Sequence, residues 1–294
     1  MRDEYIYQHY VPKFHLDYYT FDEGEERIWV FDKPTESTFP QATTNVGGDD
    51  FFYDPEWKPE AEVEEFLQQV ENAALHPYNV IVQTKSITCI TPQDKRDLAN
   101  FLALQWMRTQ ERRNSIRDVG KLVQETLEER FGIDWNMGDE ETIEQEIAET
   151  HSAGIRREEV EEISDILTNK RWFVMENLTD RSLWTSDHPL VSHNQQEFPE
   201  WASGKGLAVR GVQIFFPLTP DLMLQMADPA YFWIDPQDVI ISNEDTITFY
   251  NELQIRQSNR QLYGPEDDFE LAEETLERLP SLKDPHRERF KRLG

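Results

Sequence analysis

Apolar residues recur along this chain with two different rhythms, and the points where the rhythm changes divide it. From about residue 59 the period is helical: Val63, Phe66, Leu67, Val70 and Ala74 form one stripe, with Glu62, Glu64, Glu65 and Glu71 on the wet side. A second helix is predicted to start at Thr91-Pro92-Gln93-Asp94, which offers a cap hydroxyl, a proline at the first helical position and an acid in the first turn. Its face runs through Leu98, Phe101, Leu102 and Gln105. The pattern resumes at Ile116, Val119, Leu122, Val123 and Leu127, so this stretch is one long helix or a bent pair. Residues 135–149 are acidic enough to read as an exposed connection with marginal helix. A further helix is predicted over 158–168, carrying Val160, Ile163, Ile166 and Leu167.

After residue 170 the period shortens to two. Arg171-Trp172-Phe173-Val174-Met175-Glu176 and Leu183-Trp184-Thr185-Ser186 predict paired strands around a turn at 177–181. Two more are predicted at 211–216 and 222–226, joined by Pro217-Leu218-Thr219-Pro220-Asp221. Arg27-Ile28-Trp29-Val30-Phe31-Asp32 has the same character and ends in a Lys33-Pro34 turn signal. Asn45-Val46-Gly47-Gly48 reads as a loop entering the aromatic segment Phe51-Phe52-Tyr53, and 197–208 as a surface loop. Residues 251–263 predict a helix stopped by Gly264-Pro265, followed by a weaker acidic helix over 269–279 and a basic end.

The order is a small mixed region, helices over 59–169, strands over 171–250 and helices over 251–279. That order predicts an α+β fold in which grouped helices cover an antiparallel or mixed sheet. A single domain over 1–294 is expected, with or without a helical lobe; no repeat of solenoid spacing occurs.

Composition narrows the partners. A chain of 294 residues buries roughly three quarters of its extended surface without disulfides or metal. The formal net charge is −29, yet 38% of the residues are hydrophobic, which sets the chain apart from acidic disordered segments. Acids scattered along the whole length, with Arg preferred to Lys, fit a halophilic adaptation in which salt screens surface repulsion. The alternative is a basic partner, and dependence of folding on molar salt separates the two. Nonspecific attraction to a nucleic-acid backbone is disfavoured, although a small focused site is not. The single Cys89 excludes an intrachain disulfide and reads as a small buried residue before the Thr91 cap. No apolar run is long enough to span a bilayer, so a soluble cytoplasmic protein with no membrane partner is expected.

Three polar groupings offer chemistry. In Gln8-His9-Tyr10, His9 is either a general base or metal ligand, or a hydrogen-bonded structural residue. In Thr185-Ser186-Asp187-His188-Pro189, Ser186 and Asp187 either cap a turn or face a cleft, where Asp187 orients His9 or holds a divalent ion. Arg108, Arg112, Arg113 and Arg117 either bind phosphate or bridge acidic surfaces. Asn251, Arg256 and Arg260 on the predicted late helix either supply a further side of the same cleft or lie at the surface. A serine triad from Ser186, His9 and Asp187 is disfavoured, because adjacent Ser and Asp cannot easily serve opposite ends of one triad and no nucleophile elbow is present.

The opening Gln8-His9-Tyr10-Val11-Pro12-Lys13-Phe14 resembles an uncharacterised domain-of-unknown-function family with a QHYVP start. The likeness continues through Ile28-Trp29-Val30-Phe31-Asp32, Asp50-Phe51-Phe52-Tyr53, Phe101 to Thr109, Trp184-Thr185-Ser186-Asp187-His188-Pro189 and Phe216-Pro217-Leu218-Thr219-Pro220. What the resemblance implies is that Gln8, His9, Asn45, Asp50, Arg108, Ser186, Asp187, Asn251 and Arg260 are the positions to inspect together. The expected function is a hydrolase of a phosphate-containing substrate, with a metal-dependent nuclease as one form. His9 would be base or ligand, and Asp50 and Asp187 would hold a divalent metal or activate water. Arg108 and Arg260, with Arg112 nearby, would stabilise phosphate oxygens. The alternatives are a noncatalytic ligand-binding or regulatory protein and a structural or interaction protein built on a buried polar network.

Overall fold

A computed structural model of the protein describes residues 7–21, 24, 26–53, 61–133, 139–196, 206–233 and 238–290. The chain runs β1 (Tyr7–His9), α1 (Lys13–Leu16), β2 (Arg27–Asp32), β3 (Ser37–Ala42) and β4 (Gly48–Asp50). Helices α2 (Ala61–Thr84), α3 (Pro92–Met107), α4 (Gln110–Phe131), α5 (Glu140–Gly154) and α6 (Arg157–Thr168) follow. Next come β5 (Arg171–Asn177), β6 (Thr185–Ser186), β7 (Val191–Asn194), β8 (Val212–Thr219), β9 (Leu222–Ala227) and β10 (Asp238–Ile241). Then follow α7 (Glu244–Gln257), β11 (Gln261–Gly264) and α8 (Glu270–Arg278), with a 3₁₀ turn at Pro280–Lys283 after it.

Alternation of side chains builds two sheets with both faces covered. In the five-stranded sheet, ordered β10-β5-β9-β8-β7, only the β10–β5 pairing is parallel. Trp172, Val174, Ile214, Phe216 and Leu224 point to one face and join the main core with α2, α3 and α6. Their neighbours Phe173, Met175, Phe215 and Met223 point to the other, where Ile247, Tyr250 and Leu253 of α7 cover them. The second sheet, β3-β2-β11-β6, is antiparallel throughout. Phe31 and Leu262 pack beneath α8, while Ile28, Val30 and Tyr263 meet Val11, Leu16 and Tyr19 on the opposite face. The opening segment is thereby anchored. β1 also pairs with β4, an approach so close that a Cβ on Gly48 would lie 2.6 Å from the Tyr7 ring.

The α+β class and grouped helices agree with the hydrophobic pattern, and Thr91 and Asp94 close a reciprocal capping box. The long helical stretch is a bent pair, broken between α3 and α4 where Thr109 turns extended. Several local expectations are corrected. The acidic interval holds a full helix, α5, capped by Asp139 and carrying buried Ile147 and His151. Residues 171–176 and 183–186 do not pair with each other: β5 lies between β10 and β9, and β6 joins β11 in the other sheet. The late helix starts at the Asn243 cap and ends at Gln257, so residues 261–264 are strand rather than helix. Cys89 is exposed at the end of a 3₁₀ turn. Most of the predicted 197–208 loop, and residues 135–138 of the acidic interval, lie outside the described residues. Among the described residues, no helix is long and apolar enough to cross a membrane.

Candidate functional site

The residues singled out by sequence fall into two groups, and the first is spent on holding the fold. Arg108 is fully buried at the break between α3 and α4, donating to Glu71 at 2.6 Å and to Gln105 at 2.8 Å. Gln8 accepts from the Tyr53 amide at 2.6 Å, and Asn251 accepts from the Trp184 amide while donating to the Ser182 carbonyl. Ser186 donates to Gln254 at 2.6 Å and caps the His188 amide. Arg112 lies over the Trp106 ring, 3.7 Å from its centroid, and burial pulls its pKa down to about 10. These are structural contacts.

Three histidines belong to the same interior. His15 bridges Tyr78 and Thr185 at 2.9 and 2.8 Å, His188 bonds Thr109 at 2.7 Å, and His151 donates to the Met107 carbonyl. Burial pushes each of their pKa values down to about 3. Each is a neutral imidazole placed by its hydrogen bonds.

His9, Asp50 and Asp187 are not brought together as a metal-binding group. Among the described residues, no set of three or more His, Cys, Asp or Glu side chains is arranged to hold an ion. His9 sits on the face of β1 shared with Tyr7, whose ring it meets edge-on at 5.1 Å. Its Nε2 is buried without a hydrogen-bond partner among the described residues, and burial lowers its pKa. Asp50 is exposed at the end of β4, and Asn45 is exposed at the end of a 3₁₀ turn.

The second group surrounds a cavity of about 370 Å³ between the β1–β4 ribbon, the start of α4, the start of β11 and residues 285–286. Asp187 lies at its buried base. Oδ1 accepts from the Asn259 amide at 2.8 Å, and Oδ2 accepts from the Arg260 and Gln261 amides at 2.6 and 2.8 Å. Burial raises the Asp187 pKa, against the charge of Lys33 and the three amides. Lys33 is itself fully buried, donating to the Ile255 and Ser258 carbonyls at 3.0 and 2.8 Å; burial pulls its pKa down to about 7. Asp187 therefore fixes the chain between α7 and β11, and that fixed stretch presents Asn259, Arg260 and Gln261 to the cavity.

Several lining groups keep hydrogen-bonding capacity beyond their contacts with described residues. Arg260 uses Nε and Nη2 on Asp32, leaving Nη1. Gln261 accepts from Tyr263 through Oε1, leaving its NH₂; Asn259 accepts through Oδ1 from Asn114 at 2.9 Å, leaving its own. Gln110 donates to Asn114 at 3.1 Å, leaving its Oε1. Arg117 donates to His286 Nδ1 at 2.7 Å, which places a ring proton on Nε2. Tyr10 adds a hydroxyl whose pKa is raised by burial and by the Asp187 carboxylate. Asp49 accepts the Asp50 amide through one oxygen and keeps the other.

Of the sequence candidates, the structure brings Asp187 and Arg260 to this cavity, and it places Tyr10 and Asp49 beside their sequence neighbours His9 and Asp50. Sequence reasoning missed Gln110, Asn114, Gln261 and His286 as a set. The one local signal was the Gln110/Asn114 spacing of four, which puts both amides on one face of a helix.

No curated protein and no solved structure matches the chain. The family model described as protein of unknown function DUF4238 matches residues 7–268, and the chain belongs to that family.

Proposed function

We propose that the cavity above Asp187 binds one small phosphate-containing molecule, and that the protein is a noncatalytic ligand-binding or regulatory protein. The observation that carries this reading is that five residues with unspent donors, Tyr10, Asn259, Arg260, Gln261 and His286, line one cavity of about 370 Å³. That volume lies at the low end of small-molecule sites and suits a single ligand, not a run of polymer. Arg260 and His286 supply donors for phosphate oxygens. The carboxylate of Asp49 and the amides of Gln110 and Gln261 suit the hydroxyl or amide groups of a phosphate ester.

Hydrolysis of such a ligand is the second reading, favoured by a buried carboxyl with a raised pKa at the base of the cavity. The three amides on Asp187 weigh toward a positioning role instead. Calorimetry with inorganic phosphate and 5′-AMP, with and without magnesium, tests binding, and phosphate release from 5′-AMP tests turnover. Binding without release supports the proposal. Release that His9→Ala or Asp187→Asn abolishes in folded protein would replace it with the hydrolase, and absence of binding by either probe would remove both.

A further inference from the structure

Part of the cavity wall comes from a segment outside the family-matched region, which ends at residue 268. Residues 285–289 cross the start of α4 and place Pro285 and His286 on the cavity. None of them belongs to a hydrophobic core, so polar contacts hold the segment down. Glu111, in the first turn of α4, takes Arg287 at 3.2 Å through one oxygen and Arg289 at 2.8 and 2.9 Å through both. Asp118, two turns further along α4, accepts the Arg289 amide at 3.1 Å. Arg287 also donates to the Ser258 and Asn259 carbonyls, and Asn114 donates to the Pro285 carbonyl. The side chains of Glu111, Asp118, Arg287 and Arg289 are all at most 13% exposed.

Ion pairs this sheltered are screened little by salt, and removing one member strands the others as uncompensated buried charges. The segment therefore docks as a unit around Glu111. Docking does two things at once for the cavity: it supplies the His286 Nε2 proton, and it fixes Asn114 and Asn259, whose amides bond both to each other and to the segment.

We infer that residues 285–289 are a ligand-binding segment of this site, clamped by Glu111, and that docking of the segment and binding of the phosphate-containing ligand are coupled. The inference rests on the ligand reading above. Coupling of this kind is reciprocal: ligand holds the segment down, and a docked segment raises affinity. If undocking lowers the competent fraction to about one tenth, apparent affinity falls about tenfold.

The test uses the 294-residue chain with Glu111→Gln and, independently, Arg289→Ala. Amide exchange over 286–290 reports docking without any ligand, and exchange in β8 and β9 reports the integrity of the core. Calorimetry with 5′-AMP and inorganic phosphate reports affinity. The expected result is exchange at least about tenfold faster in the segment, an unchanged core, and 5′-AMP affinity weakened about tenfold. Saturating 5′-AMP is expected to slow segment exchange in the unaltered protein. Faster exchange in the segment with unaltered affinity would overturn the coupling while leaving the ligand reading intact. Unchanged exchange in both variants would overturn the clamp. Failure of the unaltered protein to bind either probe would remove the ligand reading, and the coupling with it.

Discussion

The interior around His15, Arg108 and His188 and the cavity above Asp187 are built from the same residue types, yet they differ in how much hydrogen bonding is left over. Around His15 and Arg108 the polar groups find one another, although His151 keeps a buried Nδ1 with no partner among the described residues. His15 has a partner on each ring nitrogen, and Arg108 is shared between Glu71 and Gln105. Around the cavity, the lining residues Tyr10, Asn259, Arg260, Gln261 and His286 each keep a donor beyond their contacts with described residues. A polar residue near other polar residues is not thereby a site residue; unspent capacity facing a cavity is the better criterion. Asp187 belongs to both regions. Its carboxylate is consumed by three amides, and what it builds is the lining stretch 259–261.

Acid should break the interior first. His15, His151 and His188 have folded pKa values of about 3 against an ordinary 6.5, so below pH 6.5 the unfolded chain takes up protons that the folded chain refuses. Stability is then fully present above pH 6.5 and is lost as pH falls toward 3, by about 1.4 kcal/mol per pH unit for each histidine. Together they predict a slope of about 4 kcal/mol per pH unit, enough to unfold a marginally stable domain near pH 5. Urea unfolding at stepped pH measures it, and a flat profile from pH 6.5 to 5 would contradict the neutral buried imidazoles.

A smaller but sharper loss is expected for Asp187→Ala. It strands three amides and leaves the Lys33 ammonium without its nearby carboxylate, at a cost of about 3–5 kcal/mol in urea unfolding. Asp187→Asn should recover part of this, since a carbonyl oxygen still accepts. A loss under about 1 kcal/mol for the alanine variant would mean that Asp187 does not hold the α7–β11 connection.

Much of this was legible in the chain, for reasons that differ by region. The strands were legible as apolar segments bounded by turn residues, as in Val212–Thr219, although burial of both sheet faces was not. The α3 start was readable because capping is local chemistry in four consecutive residues. Helix α5 reads as only marginal in the sequence because its acidic composition outweighs the weak stripe of Ile143, Ile147 and His151. The β6–β11 pairing was hidden because it joins residues 76 and 78 positions apart, and alternation says which face a strand buries without saying which strand lies beside it. Asp187 and Arg260 stood out as charged residues at predicted element ends. The amides of Gln110, Asn114 and Gln261 carry no motif of their own, and only the folded chain brings them beside His286.

The central claim is that the cavity, and not the buried polar interior, recognises ligand. Paired single-group deletions measured by calorimetry with 5′-AMP test it most directly. Thr185→Val removes the hydroxyl that partners His15, and Tyr10→Phe removes the hydroxyl of a residue that lines the cavity. The account predicts that Thr185→Val costs about 1–2 kcal/mol of stability and leaves affinity unchanged. Tyr10→Phe should weaken binding about tenfold, equivalent to about 1.4 kcal/mol, with stability within about 0.5 kcal/mol of the unaltered protein. Equal affinity in the unaltered protein and Tyr10→Phe, or a loss of affinity in Thr185→Val alone, would contradict it.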